Sequence, residues 1–155
     1  MSTEKYHLKA ESGFTRFEFI SEGPKGAIRK LIEFQETTNP LVYNLAFGDF
    51  DAQTEKIDDL SVSNNGDTEK ILATVVNAIY TFFNKYPDVF VYATGSTKAR
   101  TRLYRMGLTR FYEERKKDFY LYGQVGDDFI EFKNGNEYDG FLVQRKFKID
   151  NYEDD

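Results

Sequence analysis

The sequence predicts an α+β chain: a single domain over residues 1–150 built on a mixed central β-sheet, with a β-α-β crossover, flanking helices and a C-terminal antiparallel meander. Three observations predict it. Short apolar runs with strand patterning recur along the chain and are interrupted by stretches of helical periodicity, so both kinds of element share one core. The longest helical pattern, Thr68 to about Tyr86, lies between two strand-like runs, the order of a right-handed crossover with parallel strands. The 155 residues suit one domain, and 15 Phe with 11 Tyr exceed the aromatic content of a disordered chain.

Taken in order, residues 1–12 are weakly patterned, with an edge strand at Tyr6 to Ala10. Phe14 to Ile20 alternates aromatic and polar residues as a half-buried strand does, and Gly23-Pro24 ends it. Lys25 to Gln35 places Ala27, Ile28, Leu31, Ile32 and Phe34 at helical spacing after Pro24, which predicts a short amphipathic helix. Leu41 to Phe50 and Lys56 to Ser63 are strand-like, and the polar link Asp51 to Glu55 joins them as a hairpin. Asp67, after the turn residues Asn64-Asn65-Gly66, is placed to cap the long helix. Along that helix Ile71, Leu72, Val75, Val76, Ile79, Phe82 and Phe83 form one broad stripe, and Pro87 stops it.

Val89 to Ala93 is a short apolar run that predicts a strand buried on both faces. Gly95, Ser96 and Thr97 follow as a turn and N-cap, and a helix runs from about Thr97 to Met106 with Gly107 as its C-cap. Thr109 to Glu114 and Asp118 to Gly123 read as a hairpin, and Phe129 to Lys133 and Phe141 to Lys148 as further strands. Residues 151–155 read as a loose acidic tail.

Composition excludes several functions. With no Cys and a single His, His7, there is no disulfide, thiolate or His-rich metal chemistry. No apolar run reaches the roughly 20 residues of a membrane span, and the N-terminus lacks signal-peptide order, so a cytoplasmic protein without membrane association is expected. A net charge of −5 gives no general attraction for nucleic acid or anionic lipid.

Chemistry concentrates after the apolar run. Gly95, Ser96 and Thr97, with Lys98, Arg100, Arg102 and Arg105 beside them, make a strand, turn and helix start ringed by cations, a tentative site for a small anion or nucleotide. From Lys98 to Lys117 eight Lys/Arg face two Glu, a local charge of +6. Interleaved Tyr104, Phe111, Tyr112 and Tyr120 could stack on bases, which keeps a nucleic-acid surface open beside the plainer reading of a solvated charged face. Asp49, Asp51, Asp58 and Asp59, with Asp67 and Glu69, could offer oxygen ligands to a hard cation, although acidic residues in a hairpin turn are ordinary and no metal ligand is assigned. No residue carries a catalytic signature, so whether the chain is an enzyme stays open.

The order of elements, with IDDLSVSNNGDTEKILATVVNAIYTFF and KARTRLYRMGL over Ile57 to Leu108, resembles the N-acetyltransferase (GNAT) superfamily. That resemblance implies a sheet that splits beside the crossover and an acyltransferase using coenzyme A. Two positions depart from the family pattern. Its Gly-rich pyrophosphate loop is replaced by Asn64-Asn65-Gly66-Asp67-Thr68-Glu69, and Tyr104 precedes Gly107 by three residues rather than four. The whole chain also resembles an uncharacterised bacterial protein family sharing the Ser-Asn-Asn-Gly-Asp and Gly-Ser-Thr-x-Ala-Arg stretches, and no activity follows from that. The expected role is a ligand-binding or interaction protein, its partner a small anion or another protein.

Overall fold

In the computed structural model the described residues are 4–58, 64–95 and 98–146, without the side chains at 99, 100 and 103. The elements among them are β1 (Lys9–Ala10), β2 (Arg16–Gly23), β3 (Gly26–Glu36), β4 (Val42–Asp51), β5 (Lys56–Asp58), α1 (Thr68–Lys85), β6 (Phe90–Ala93), α2 (Lys98–Arg115), β7 (Phe119–Val125), β8 (Asp128–Glu131) and β9 (Gly140–Arg145). The strands form one sheet in the order β1-β2-β3-β4-β6-β9-β7-β8, with β5 paired to β4. The sheet is mixed, since β4 and β6 are parallel and the other pairs are antiparallel. The path ends in a two-residue strand, β1, and a fully exposed β8 that begins and ends in carboxylates. No helix among the described residues is long and apolar enough to cross a membrane.

Both helices cover the same face of this sheet. Register places Phe17, Ile32, Phe34, Leu45, Val91, Val143 and Leu121 on that face, and all are buried. Onto them α1 lays Ile71, Val75, Ala78, Ile79, Phe82 and Phe83, with Phe82 stacked on Phe34 at a centroid distance of 4.2 Å. From α2 come Tyr104, Leu108 and Phe111, the last against Phe119 at 5.1 Å. Burying each large apolar side chain contributes about 1.5–3 kcal/mol, so this one-sided layer is the main stabilising body of the fold. Arg145 closes α1 by donating to the Phe83 carbonyl at 3.1 Å, a cation at the negative end of a helix.

Four sequence expectations are corrected. Residues 25–35 form β3, not a helix. The apolar positions Ile28, Ile32 and Phe34 follow period two on the helix-covered face, but Lys30 occupies the intervening core slot and Leu31 is buried on the opposite face, so the alternation is masked. Residues 109–114 continue α2 instead of forming a strand. Gly107 lies inside that helix because a Cβ there would stand 2.6 Å from the Leu72 side chain on α1, so its missing side chain admits a close helix crossing rather than ending the helix.

The crossover is also different. β6 pairs in parallel with β4, from Val42↔Phe90 to Leu45↔Ala93, and not with β5. The link 51–55 is a tight turn, with Glu55 N–H donating to the Asp51 carbonyl and Gln53 N–H to Asp51 Oδ1, and such a turn returns its strand antiparallel. Asp49 already pairs with Lys30 on its other side, so β5 occupies the edge of β4 that β6 leaves beyond Leu45. Finally, the C-terminal strands are not a simple meander: β9 inserts between β6 and β7, and β8 lies outside. The expected strand beyond Asp58, the end of the last strand at Lys148 and the tail lie outside the described residues.

Asp67 stands at the N-cap of α1, yet its side chain makes no cap bond. Its Oδ2 instead accepts from the Tyr6 and Ser21 hydroxyls, each at 2.5 Å, tying the N-terminal segment and β2 to the helix start. Burial, then the Asp67 bond, raises the Tyr6 phenol above its usual range. Burial also raises Tyr43 and pushes Tyr80 up to about 12, with Asp118 adding to the shift and Arg115 opposing it. A phenol with a raised folded pKa stabilises fully below the unfolded value of 10.0 and loses that contribution as pH climbs through the folded value. Denaturant midpoints are therefore expected to be level up to about pH 10 and to fall toward about pH 12; a flat profile across that window would contradict the buried phenols.

Candidate functional site

At the carboxyl end of β6 the chain turns through Thr94 and Gly95 and enters α2 at Lys98. Lys98, Arg102 and Arg105 then recur at four- and three-residue spacing, so they share one side of the helix. Tyr104, Leu108 and Phe111 take the side that packs on the sheet. The cations are directed away from the core by the same periodicity that buries the apolar residues.

Facing them across the β6–α2 turn is the segment before β9. Together Thr94, Gly95, Lys98, Thr101, Arg102, Arg105, Glu137, Tyr138 and Asp139 line one cavity of about 380 Å³. Backbone and side-chain bonds fix its walls. Thr94 donates its hydroxyl to the Asp139 carbonyl at 2.8 Å, and Asp139 N–H donates to the Gln124 carbonyl at 2.8 Å. Asp139 Oδ2 accepts from Gly126 N–H at 3.0 Å. Arg105 donates to the Asn136 carbonyl at 3.5 Å. Buried Tyr138 forms part of the lining, its hydroxyl accepting from Lys133 N–H at 2.9 Å.

Of the residues singled out by sequence, Gly95, Lys98, Arg102 and Arg105 meet in this cavity. Ser96 and Thr97 lie outside the described residues, as does the side chain of Arg100. The Gly95 N–H is not a donor awaiting an anion, because it donates to Thr101 Oγ1 at 3.1 Å. The cationic side chains, rather than that amide, are the groups that can meet a ligand. Sequence reasoning missed Glu137 and Asp139, which lie between a turn and a strand. The usable signal was their period-two spacing around Tyr138 immediately before the last strand.

Two further cations of the basic segment are engaged elsewhere. Arg110 pairs with Glu69 at 2.8 Å, and Arg115 lies over the Tyr80 ring at 5.8 Å. Tyr104 and Phe111 are buried and Tyr112 is half-buried against Phe132, which leaves only Tyr120 of the proposed stacking rings well exposed. Of the carboxylates, Asp49 and Asp58 stand directly opposite each other on β4 and β5, but no group of three or more that could hold a metal ion forms among the described residues. Asp49 is bonded to Lys30, Asp51 serves its own turn, Asp67 holds Tyr6 and Ser21, and Asp59 lies outside the described residues. A second cavity, of about 220 Å³, lies between α1 and α2 over Leu72, Val76, Tyr80 and Phe111. Arg110 and Arg115 on its rim are the two already engaged.

Residues 2–146 match the sequence profile of DUF6934, a family of unknown function. The chain belongs to the DUF6934 family. No curated protein and no solved structure matches it. The family description assigns no activity, so the chemistry of this DUF6934 chain rests on its own side chains.

Proposed function

We propose that the chain is a binding protein for a small anionic ligand, a phosphate- or carboxylate-bearing molecule held in the cavity between β6, α2 and the 137–139 segment. One observation carries this reading: Lys98, Arg102 and Arg105 converge on one cavity, and none forms an ion pair among the described residues. Charge-assisted hydrogen bonds from guanidinium groups are the strong polar contacts available to such a ligand. The walls are partly open to solvent, so each cation contributes a screened, modest share.

A second reading is an acyltransferase related to the N-acetyltransferase superfamily, with coenzyme A as cofactor. It is favoured by the parallel pairing of β4 with β6, from Val42↔Phe90 to Leu45↔Ala93, with α1 between them in sequence. Against it, Asp67 and Glu69 put two carboxylates at the α1 start, where they would repel a pyrophosphate.

One titration separates the two readings. Followed by amide resonances, inorganic phosphate or a nucleotide is expected to shift Gly95 and Lys98 to Arg105, and Arg102→Gln is expected to weaken that binding about fivefold. Coenzyme A acting as a cofactor would instead saturate shifts across Asn64 to Leu72. Unmoved α2 amides at millimolar phosphate would remove the anion reading.

A further inference from the structure

The cavity that carries the anion reading has a second wall of opposite sign. Glu137 and Asp139 face it from the segment before β9, while Lys98, Arg102 and Arg105 face it from α2. Opposite charges on flexible side chains that share a cavity ordinarily collapse onto one another. Here, among the described residues, no ion pair joins the two walls.

The acidic wall has bonds of its own. Asp139 is held by its N–H on the Gln124 carbonyl and its own carbonyl under the Thr94 hydroxyl, both at 2.8 Å, and its Oδ2 is bonded to Gly126 N–H. Tyr138 is buried between the two carboxylates in sequence and anchored through its hydroxyl on Lys133, so the chain on either side of it is fixed. Arg105 is likewise tethered to the Asn136 carbonyl. The Asp139 carboxylate thus already has a partner that is not on the basic wall.

We propose that the cavity takes a zwitterion: a small molecule with an acidic group against Lys98, Arg102 and Arg105 and an ammonium group against Glu137 and Asp139. The inference rests on the anion reading and narrows its ligand class. A plain anion would gain the guanidinium contacts but would also meet two carboxylates, whose repulsion lowers its affinity. A ligand with both charges satisfies both walls and bridges a separation that the protein does not close for itself. Polar groups converging on one cavity from fixed elements are the arrangement that orients such a ligand.

The test compares matched probes by amide-resonance titration at constant pH 7 and ionic strength: O-phosphoethanolamine, ethyl phosphate and ethanolamine. O-phosphoethanolamine is expected to bind about fivefold or more tightly than ethyl phosphate, and ethanolamine weakest of all. In the Glu137→Gln/Asp139→Asn variant, whose Asn can still accept from Gly126, that preference should vanish, with O-phosphoethanolamine weakened and ethyl phosphate strengthened. A merely structural role for the two carboxylates would weaken both probes together and would overturn the proposal. Ethyl phosphate binding as tightly as O-phosphoethanolamine to the parent chain overturns the zwitterion inference and leaves the anion reading standing. Neither phosphate probe moving the α2 amides overturns both.

Discussion

Asp49→Leu is expected to destabilise the fold by about 3–5 kcal/mol, because breaking a buried ion pair takes from the Lys30 ammonium the carboxylate bonded to it. Lys30 and Asp49 are directly opposite on β3 and β4, bonded to each other, and their side chains are only 4% and 16% exposed. The register places Phe19 on the other side of Lys30, and the ammonium lies 5.9 Å from the Phe47 ring centroid. Losing that carboxylate leaves the ammonium in a low-dielectric slot with weaker compensation for its charge. The double variant Lys30→Met/Asp49→Leu removes both charges and is expected to recover most of the loss, since an apolar pair of similar volume fits the slot. Urea unfolding of the parent, both single variants and the double variant measures this. A single Asp49→Leu chain as stable as the parent would refute the account.

Gly23→Ala should cost about 2–3 kcal/mol, the upper part of the range for forced overpacking. A Cβ at this position would stand 1.9 Å from the Asn65 carbonyl oxygen and 2.9 Å from its Cγ. The obstacle is main chain, and it is pinned. Asn65 Nδ2 donates to the Gly26 carbonyl at 2.9 Å and to Ser21 Oγ at 3.2 Å, while Lys25 N–H donates to Asn65 Oδ1 at 2.7 Å. Relieving the clash means pulling the β2–β3 hairpin away from the segment that starts α1, which also strains the Asp67 bonds to Tyr6 and Ser21. Thermal unfolding followed by circular dichroism reads the effect, and a midpoint within a degree or so of the parent would show that the hairpin yields freely.

The same two places explain how much was legible in the sequence. Runs whose burial follows a clean period, such as Val75, Ile79 and Phe82 in α1, announced both their element and their inward side, whereas Val89 to Ala93 announced a strand but not its sidedness, since Val91 and Ala93 are buried and Phe90 and Tyr92 only half-buried. Residues 25–35 did not, because Lys30 fills a core slot with a charge that only its cross-strand partner explains, and that partner is 19 residues away. Gly107 misled for a related reason: a glycine that admits Leu72 and a glycine that ends a helix are the same letter, and the distinction lies on another helix. The parallel neighbour of β6 was misassigned because the nearest strand in sequence is not the nearest in space. For the site, the helical spacing of Lys98, Arg102 and Arg105 was readable, since it depends on one element. Glu137 and Asp139 carry a period-two spacing of their own, but what brings them to the site is the placement of β9 between β6 and β7, a long-range event.

A sheet this wide could serve as a template for polymerisation, since each border strand offers main-chain groups to a newcomer. One border here is two residues long and the other opens with Asp128 and closes with Glu131. An incoming strand would find too short a ladder on one flank and like charges awaiting any acidic copy on the other. Both ends of the main strand path are therefore poor templates for a further strand.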